Sequence, residues 1–497
     1  MPLLDMLTGE GGLVLAALAG LGMLVALGEG LRRRGVSGRT TRRLVHVGVS
    51  LFVAATPFLF VRPSPVYGLA AVFFVLNAGA RSADWWASIH EARPQSWGTV
   101  ALPLSVLPAL AATWSVSPDR IFAFQVAYLV LGVADPVASW VGERVDEPRS
   151  QLGDSTVAGS LAFAGTTAIL TTAALLGHTG GPRRTVGMAV IGTTVVATCV
   201  EAVSRRGWDN LFIVCAVLLI LVPLQSGVWT AAQLAGAVGI GAAFGGGAYW
   251  AGALDDRGAV TGGLFAASLV GLGGWGWIVP GFVFFGLSSA LTAMDVGADD
   301  RSEAGSPPRR TQAQVLANGG IAWGALAVVA VAPDGVPGIS TGGYAAFIGA
   351  LSAAAADTWA TELGRLSPRP PWSLRSFCRV SRGTSGAVSL VGTVAAAFGA
   401  VSVVEASLLV SGPLGESIGR DAAVLVGAGM GGMLMDSGAG AYLQAAYRTA
   451  SGAWTETPPG PEADPVRGWA RIGNNAVNLM GTAAGAGLAL LGILVVG

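Results

Sequence analysis

The chain has 497 residues with no net charge, 52% of them hydrophobic and only 12% charged. So little polar surface excludes a soluble globular protein of this length, and makes a lipid bilayer rather than nucleic acid the expected partner. Three cysteines without paired or CxxC spacing and three scattered histidines exclude a disulfide framework and a zinc site. Lysine is absent, which excludes a Walker-A loop and any lysine Schiff base. Phosphate, if handled, must be held by arginine, backbone N–H groups and a divalent cation.

Apolar stretches long enough to cross a bilayer as helices recur throughout. They begin near residues 11, 44, 66, 99, 120, 156, 186, 208, 228, 259, 275, 313, 340, 384, 421 and 473. The expected fold is therefore all-α, a polytopic membrane bundle of about 14–16 transmembrane helices in two related halves. The first stretch, Gly11 to Gly30, has no basic region before it and reads as a retained span. If the first connection is cytoplasmic, roughly 24 of the 29 arginines share that side, as the positive-inside rule requires. The polar motifs share it too, so the expectation is an integral, multi-pass protein whose sites face the cytoplasm. Trp85, Trp86, Trp275 and Trp277 read as interfacial belt residues.

An internal repeat runs through these spans. Asp135, Ala138, Ser139 and Gly142 share the pattern D-x-x-A-[ST]-x-x-G with Asp357, Ala360, Thr361 and Gly364. Each copy ends an apolar run, precedes an arginine-bearing loop and is followed by small residues that read as a helix start. These are Asp154 to Ser160 in one copy and Arg382 to Ala387 in the other. Upstream, Arg42, Arg43 and His46 face Arg309, Arg310, Gln314 and Asn318; downstream, Asp209 and Asn210 face Asn474, Asn475 and Asn478. Four matches in one order point to a duplication, with halves 1–227 and 228–497.

Carboxylates at span ends are costly in a membrane and commonly mark function, although helix capping or an arginine partner also explains them. Asp135 and Asp357 suit Mg²⁺, with Glu201, Asp209 and Asp436 as candidates for a second carboxylate. Ser155, Thr156 and Gly159, and Gly383, Thr384 and Ser385, read as helix N-termini with free N–H groups and hydroxyls. Arg42, Arg43, Arg310 and Arg382 either clamp phosphate or obey the positive-inside rule. His46, one turn beyond Arg42, is a base for a substrate hydroxyl or a structural residue. His90 and His178 are taken as structural. Asn318, Asn474, Asn475 and Asn478 either orient phosphate and metal or bond across helices.

Residues of about 30–225 resemble the dolichol and phytol kinase family. The likeness rests on Arg42, Arg43 and His46, Asp135-Pro136 with Ala138, the run Ser155 to Ser160, and Glu201-Ala202 with Asp209-Asn210. Arginine stands at Arg43 where that family has lysine. Residues of about 230–497 resemble the membrane family that includes plant phytyl phosphate kinase. The matching positions are Gln314 to Gly319, Asp357 to Glu362, Gly383 to Ser389, Asp436 with Gly440 and Gln444, and Asn474, Asn475 and Asn478.

The two resemblances imply an enzyme that phosphorylates an isoprenoid alcohol, phytol or geranylgeraniol, to its monophosphate and then its diphosphate. They imply CTP or another nucleoside triphosphate as donor, Mg²⁺ as cofactor, and a role for Glu362 beside Asp357. Two alternatives stand beside this reading. One is a CDP-lipid-forming cytidylyltransferase, and the other a secondary transporter built on a repeat.

Overall fold

A computed structural model describes residues 9–82, 96–145, 155–178, 183–227, 229–294, 309–333, 336–410, 418–449, 452, 454–460 and 463–496. Trp85, Trp86, His90 and Asp154 lie outside them. The chain divides into two compact units, Met1–Gly236 and Ala237–Gly497.

In the first unit the helices are α1 (Glu10–Arg33), α2 (Gly38–Leu59), α3 (Ser64–Ser82), α4 (Gly98–Ala112), α5 (Pro118–Gly142), α6 (Val157–His178), α7 (Arg183–Val203) and α8 (Asp209–Gln225). Helix α9 (Ala231–Trp250) crosses the boundary. The second unit continues with α10 (Asp256–Ser268), α11 (Trp275–Ala293), α12 (Gln312–Val331), α13 (Ile339–Gly364), α14 (Leu390–Leu409), α15 (Ile418–Tyr442) and α16 (Asn474–Val496). Among the described residues, eleven helices are long and apolar enough to cross a membrane, and Ser64–Ala80, Gly98–Ala112 and Asp209–Gln225 are shorter apolar helices. The polytopic all-α architecture read from the sequence is the one observed. Two short hairpins, β1 (Trp372–Ser373) with β2 (Ala387–Val388) and β3 (Tyr447–Arg448) with β4 (Trp454–Thr455), lie in the polar connections.

Five consecutive helices share five packing contacts in both units, while α13 also packs extensively on α12 and α15, contacts without an extensive counterpart in the first unit. In the first, α5 packs on α6, α6 on α7, α7 on α8, and α8 on both α5 and α4; in the second, α13 packs on α14, α14 on α15, α15 on α16, and α16 on both α13 and α12. The crossings coincide in detail. A Cβ placed on Gly159 would meet the Ala138 carbonyl at 3.1 Å, Thr156 Oγ1 at 3.1 Å and Gly142 Cα at 3.6 Å. On Gly392 it would meet the Ala360 carbonyl at 3.0 Å, Ser389 Oγ at 3.1 Å and Gly364 Cα at 3.6 Å. Small residues here let backbones touch where lipid supplies no hydrophobic force between helices.

That geometry corrects the expected alignment. The counterpart of Thr156 is Ser389, whose Oγ caps α14 by accepting from the Gly392 N–H at 3.1 Å. Gly383, Thr384 and Ser385 open no helix: Gly383 and Gly386 take left-handed φ values of +81° and +73°, which turn the chain into β2. The pairing of Arg42 with Arg310 is not kept either, since Arg42 lies on the second helix of its unit and Arg310 precedes the fourth of the other.

The core of the second unit is built on α13, whose Tyr344, Phe347, Ile348 and Leu351 are fully buried. Trp277 joins it at 5% exposure, edge-on to Tyr344 with ring centroids 5.0 Å apart, and so is a core residue and not an interfacial one. Trp275 is exposed at the start of α11.

Candidate active sites

In the first unit the site begins with a defect in α5. Residues Val130–Ala134 form a π turn that ends at Asp135-Pro136. In such a turn the Leu131 carbonyl looks to residue 136 for its donor, and proline has no N–H. His46 of α2 takes up that carbonyl, its Nε2 lying 3.2 Å from Leu131 O. The same nitrogen is 3.7 Å from Asp135 Oδ2. The charges of Asp209 and Arg42 also reach the ring. Thus Arg42 and His46 of α2 share one neighbourhood with Asp135 and Asp209, which are distant in sequence.

Around this centre, Arg42 donates to Ser96 Oγ at 3.0 Å, and Ser160 donates to Glu201 Oε2 at 3.1 Å. The charge of Asp209 reaches Glu201 as well. Asn210 is buried and donates to the Gly98 carbonyl at 2.8 Å, tying α8 to α4. Arg43 is committed to protein partners: it donates to Ser139 Oγ at 2.9 Å and pairs with Glu143. That makes it a brace between α2 and α5, where the sequence offered a phosphate clamp. Thr156 Oγ1 accepts from the Gly159 N–H at 3.1 Å and so caps α6 beside Ser155.

The second unit brings two carboxyls face to face. Asp357 of α13 and Asp436 of α15 lie within hydrogen-bonding reach of one another. Asn318, Asn478, Gly481 and Thr482 line the same small space. Asn478 bridges the site: its amide lies 3.3 Å from Asn318 Oδ1, and with amide N and O exchanged it donates to the Asn474 carbonyl at 3.0 Å and Asp436 Oδ2 at 3.2 Å. The second orientation satisfies both ends of the amide. Thr482, one turn beyond Asn478, donates to the Ala317 carbonyl at 3.0 Å. Asn475 is exposed at the start of α16.

Two carboxyls so close, inside a membrane bundle, need a proton or a cation between them. Oxygen ligands alone suit a hard divalent ion. Among the described residues no group of three or more His, Cys, Asp or Glu could hold a metal. Two carboxylates alone would leave most of the shell of an ion such as Mg²⁺ to water and phosphate.

Beside this pair, Glu362 is buried, bonded to Thr292 Oγ1 at 3.2 Å and paired with Arg365 at 3.1 Å. Arg310 donates through Nη2 to the Ser288 carbonyl at 3.1 Å and to Thr292 Oγ1 at 3.2 Å. Burial lowers the guanidinium's pKa and the Glu362 charge opposes that, so the group stays a cation. Gln314 closes a capping box with Thr311, its Oε1 accepting from the Thr311 N–H at 2.8 Å. Arg382 reaches the Ser367 carbonyl at 2.7 Å, Thr384 bonds back to Ser381, and Ser385 bonds to Glu456. These three order the polar connection and stand apart from the carboxyl pair.

Sequence reasoning did not find Thr292, Thr482 or Arg467. Thr482 had a signal, its helical spacing from Asn478. Gln444 Nε2 and Arg467 Nε are buried donors without a partner among the described residues, and the charge of Arg375 reaches Arg467. Burial and the neighbouring Arg375 cation lower the Arg467 pKa, and Glu456 opposes them.

Half-buried carboxyls, amides and an arginine sit within a bundle of helices long and apolar enough to cross a membrane. Residues 239–486 match the integral membrane protein family DUF92. Protein PGR of Arabidopsis thaliana is 32% identical over 219 residues, covering 40% of this chain and 75% of PGR. The chain belongs to this family of integral membrane proteins. No solved structure matches it.

Proposed function

We propose that the chain is a bifunctional membrane isoprenoid kinase, converting a prenyl alcohol such as phytol or geranylgeraniol to its monophosphate in the first unit and its diphosphate in the second. The observation that carries this reading is the repeated site: Asp135 and Asp357 stand at equivalent positions before the same glycine crossing. CTP or another nucleoside triphosphate is the donor, reached from the cytoplasmic side.

The two reactions ask for different chemistry, and the two units differ accordingly. In the first, the alcohol oxygen attacks the γ-phosphorus, the bond to the β-phosphate oxygen breaks and the nucleoside diphosphate leaves; the hydroxyl proton passes to Nδ1 of His46, whose Nε2–H donates to the Leu131 carbonyl with Asp135 Oδ2 nearby. In the second, the nucleophile is a phosphate monoester oxygen, already ionised near neutral pH, so no base is needed. The second unit contains no histidine. Mg²⁺, when bound, neutralises charge on the transferred phosphoryl group. Asp357 and Asp436 would hold it in the second unit and Asp135 with Asp209 in the first. Asn478 would orient Asp436, and the unpartnered donors of Gln444 and Arg467 would serve polyphosphate.

The test is purified protein in detergent with labelled phytol, Mg²⁺ and each nucleotide in turn, comparing the intact chain with Asp135→Ala and Asp357→Ala. Diphosphate from the intact chain, no product from the first variant and accumulated monophosphate from the second support the reading. Release of pyrophosphate in place of a nucleoside diphosphate turns it to cytidylyl transfer. No phosphorylated lipid with any nucleotide or alcohol length ends the kinase reading.

A further inference from the structure

The second unit contains a groove that the phosphoryl-transfer chemistry does not use. Its wall is apolar and drawn from three helices: Phe244 of α9, Phe265 of α10, and Phe282 and Phe285 of α11. The rings are fixed by one another, Phe244 standing edge-on to Phe282 and Phe285 with centroids 5.0 and 4.9 Å away. The groove encloses about 50 Å³. One edge is polar, formed by Arg310, Gln314 and Asn318 at successive turns leading into and along α12.

Two features say what this groove takes. Arg310 is a largely buried cation that spends Nη2 on neutral oxygens, while its Nε and Nη1 make no hydrogen bond among the described residues. Such a group favours an anion. Asn318 borders both the groove and the carboxyl site. A ligand suited to the groove carries an anionic head beside Arg310 and Asn318 and a hydrocarbon chain along the phenylalanines.

We infer that this groove is the acceptor subsite of the second unit, binding a prenyl monophosphate with its chain against Phe244, Phe265, Phe282 and Phe285 and its phosphate at Arg310. Resting on the kinase reading, this assignment adds where the acceptor lies and what selects a phosphorylated chain over a neutral one. Phenylalanine edges and faces suit the flat, branched units of a prenyl chain. The uncharged alcohol gains nothing from Arg310.

The test is photolabelling of the full chain in nanodiscs without nucleotide, using a diazirine-bearing prenyl monophosphate and its alcohol, with labelled peptides mapped by mass spectrometry. We expect phosphate-dependent label on Phe244 to Phe285, displaced by unlabelled prenyl monophosphate and not by equimolar phosphatidic acid. Arg310→Gln is expected to weaken phosphate-probe labelling at least tenfold and to leave alcohol-probe labelling unchanged, with Arg310→Lys intermediate. Label mapping elsewhere, equal displacement by phosphatidic acid, or indifference to Arg310→Gln overturns the assignment. If Arg310→Gln does not fold, the wild-type map and the competition decide alone. Because no turnover is required, a labelled groove in a protein without kinase activity sinks the kinase reading only, and kinase activity with label elsewhere sinks the groove only.

Discussion

Asp357 and Asp436 were each conspicuous as charges in apolar sequence, but their meeting was not, since 79 residues separate them. Their adjacency has a measurable consequence. If the pair binds a divalent ion, as proposed, the ion stabilises the fold by linkage, roughly 2.7 kcal/mol at a hundred times Kd. We expect the melting temperature of the wild type to rise with Mg²⁺ and fall with EDTA, and Asp357→Asn and Asp436→Asn each to reduce that response without losing the fold. An equal Mg²⁺ response in the variants would place the ion elsewhere. His46 makes the contrasting case. Its replacement by Gln should slow alcohol phosphorylation by about 10² to 10⁴-fold. Phosphorylation of supplied monophosphate should be unchanged, which a side-by-side assay of the two acceptors reads directly.

At the scale of elements, sequence patterning located most helices to within a few residues, because apolar runs in a membrane protein are long and their polar ends abrupt. It failed where small polar residues have two uses. Gly383, Thr384 and Ser385 look like a helix N-terminus, yet left-handed glycines turn the chain and the cap falls to Ser389. Replacing Ser389 with Ala should therefore cost about 1 kcal/mol, the usual value of a lost N-cap. Thr384→Ala should be nearly neutral; chemical denaturation in detergent compares the two. Equal losses would restore the earlier helix start. The π turn before Pro136 was equally illegible, as a proline in a helix predicts a disruption without saying which side chain repairs it. Gly207 carries a sharper demand: its φ is +86°, and a Cβ there would lie 2.3 Å from the Gly98 nitrogen. Gly207→Ala should cost at least about 2 kcal/mol and loosen the contact of Asn210 with Gly98, seen as a lowered melting temperature. The groove escaped sequence reading for a related reason. Its four phenylalanines are spread over three helices, and each alone is an ordinary membrane residue.

For the molecule as a whole, a duplication would account for the packing the two units share and for the two sites proposed. Five helices that share five packing contacts preserve the crossing beside Asp135 and Asp357, while the surrounding residues diverge into a histidine site and a carboxyl-pair site. If those sites act in sequence, the intermediate is a single-headed anion on a long hydrocarbon chain. Each buried methylene contributes about 0.8 kcal/mol to membrane residence, so a chain of prenyl length stays in the bilayer and diffuses within it. Joining two sites in one chain then raises local supply without requiring a sealed channel. This distinguishes two arrangements by experiment. We expect Asp135→Asn and Asp357→Asn proteins, each unable to make diphosphate from alcohol, to restore its formation when reconstituted together in the same vesicles. Mixing vesicles that carry them separately should restore little on the same timescale. Failure in shared vesicles, with each remaining site active on its own acceptor, would mean that the monophosphate passes within one chain and never enters the bilayer.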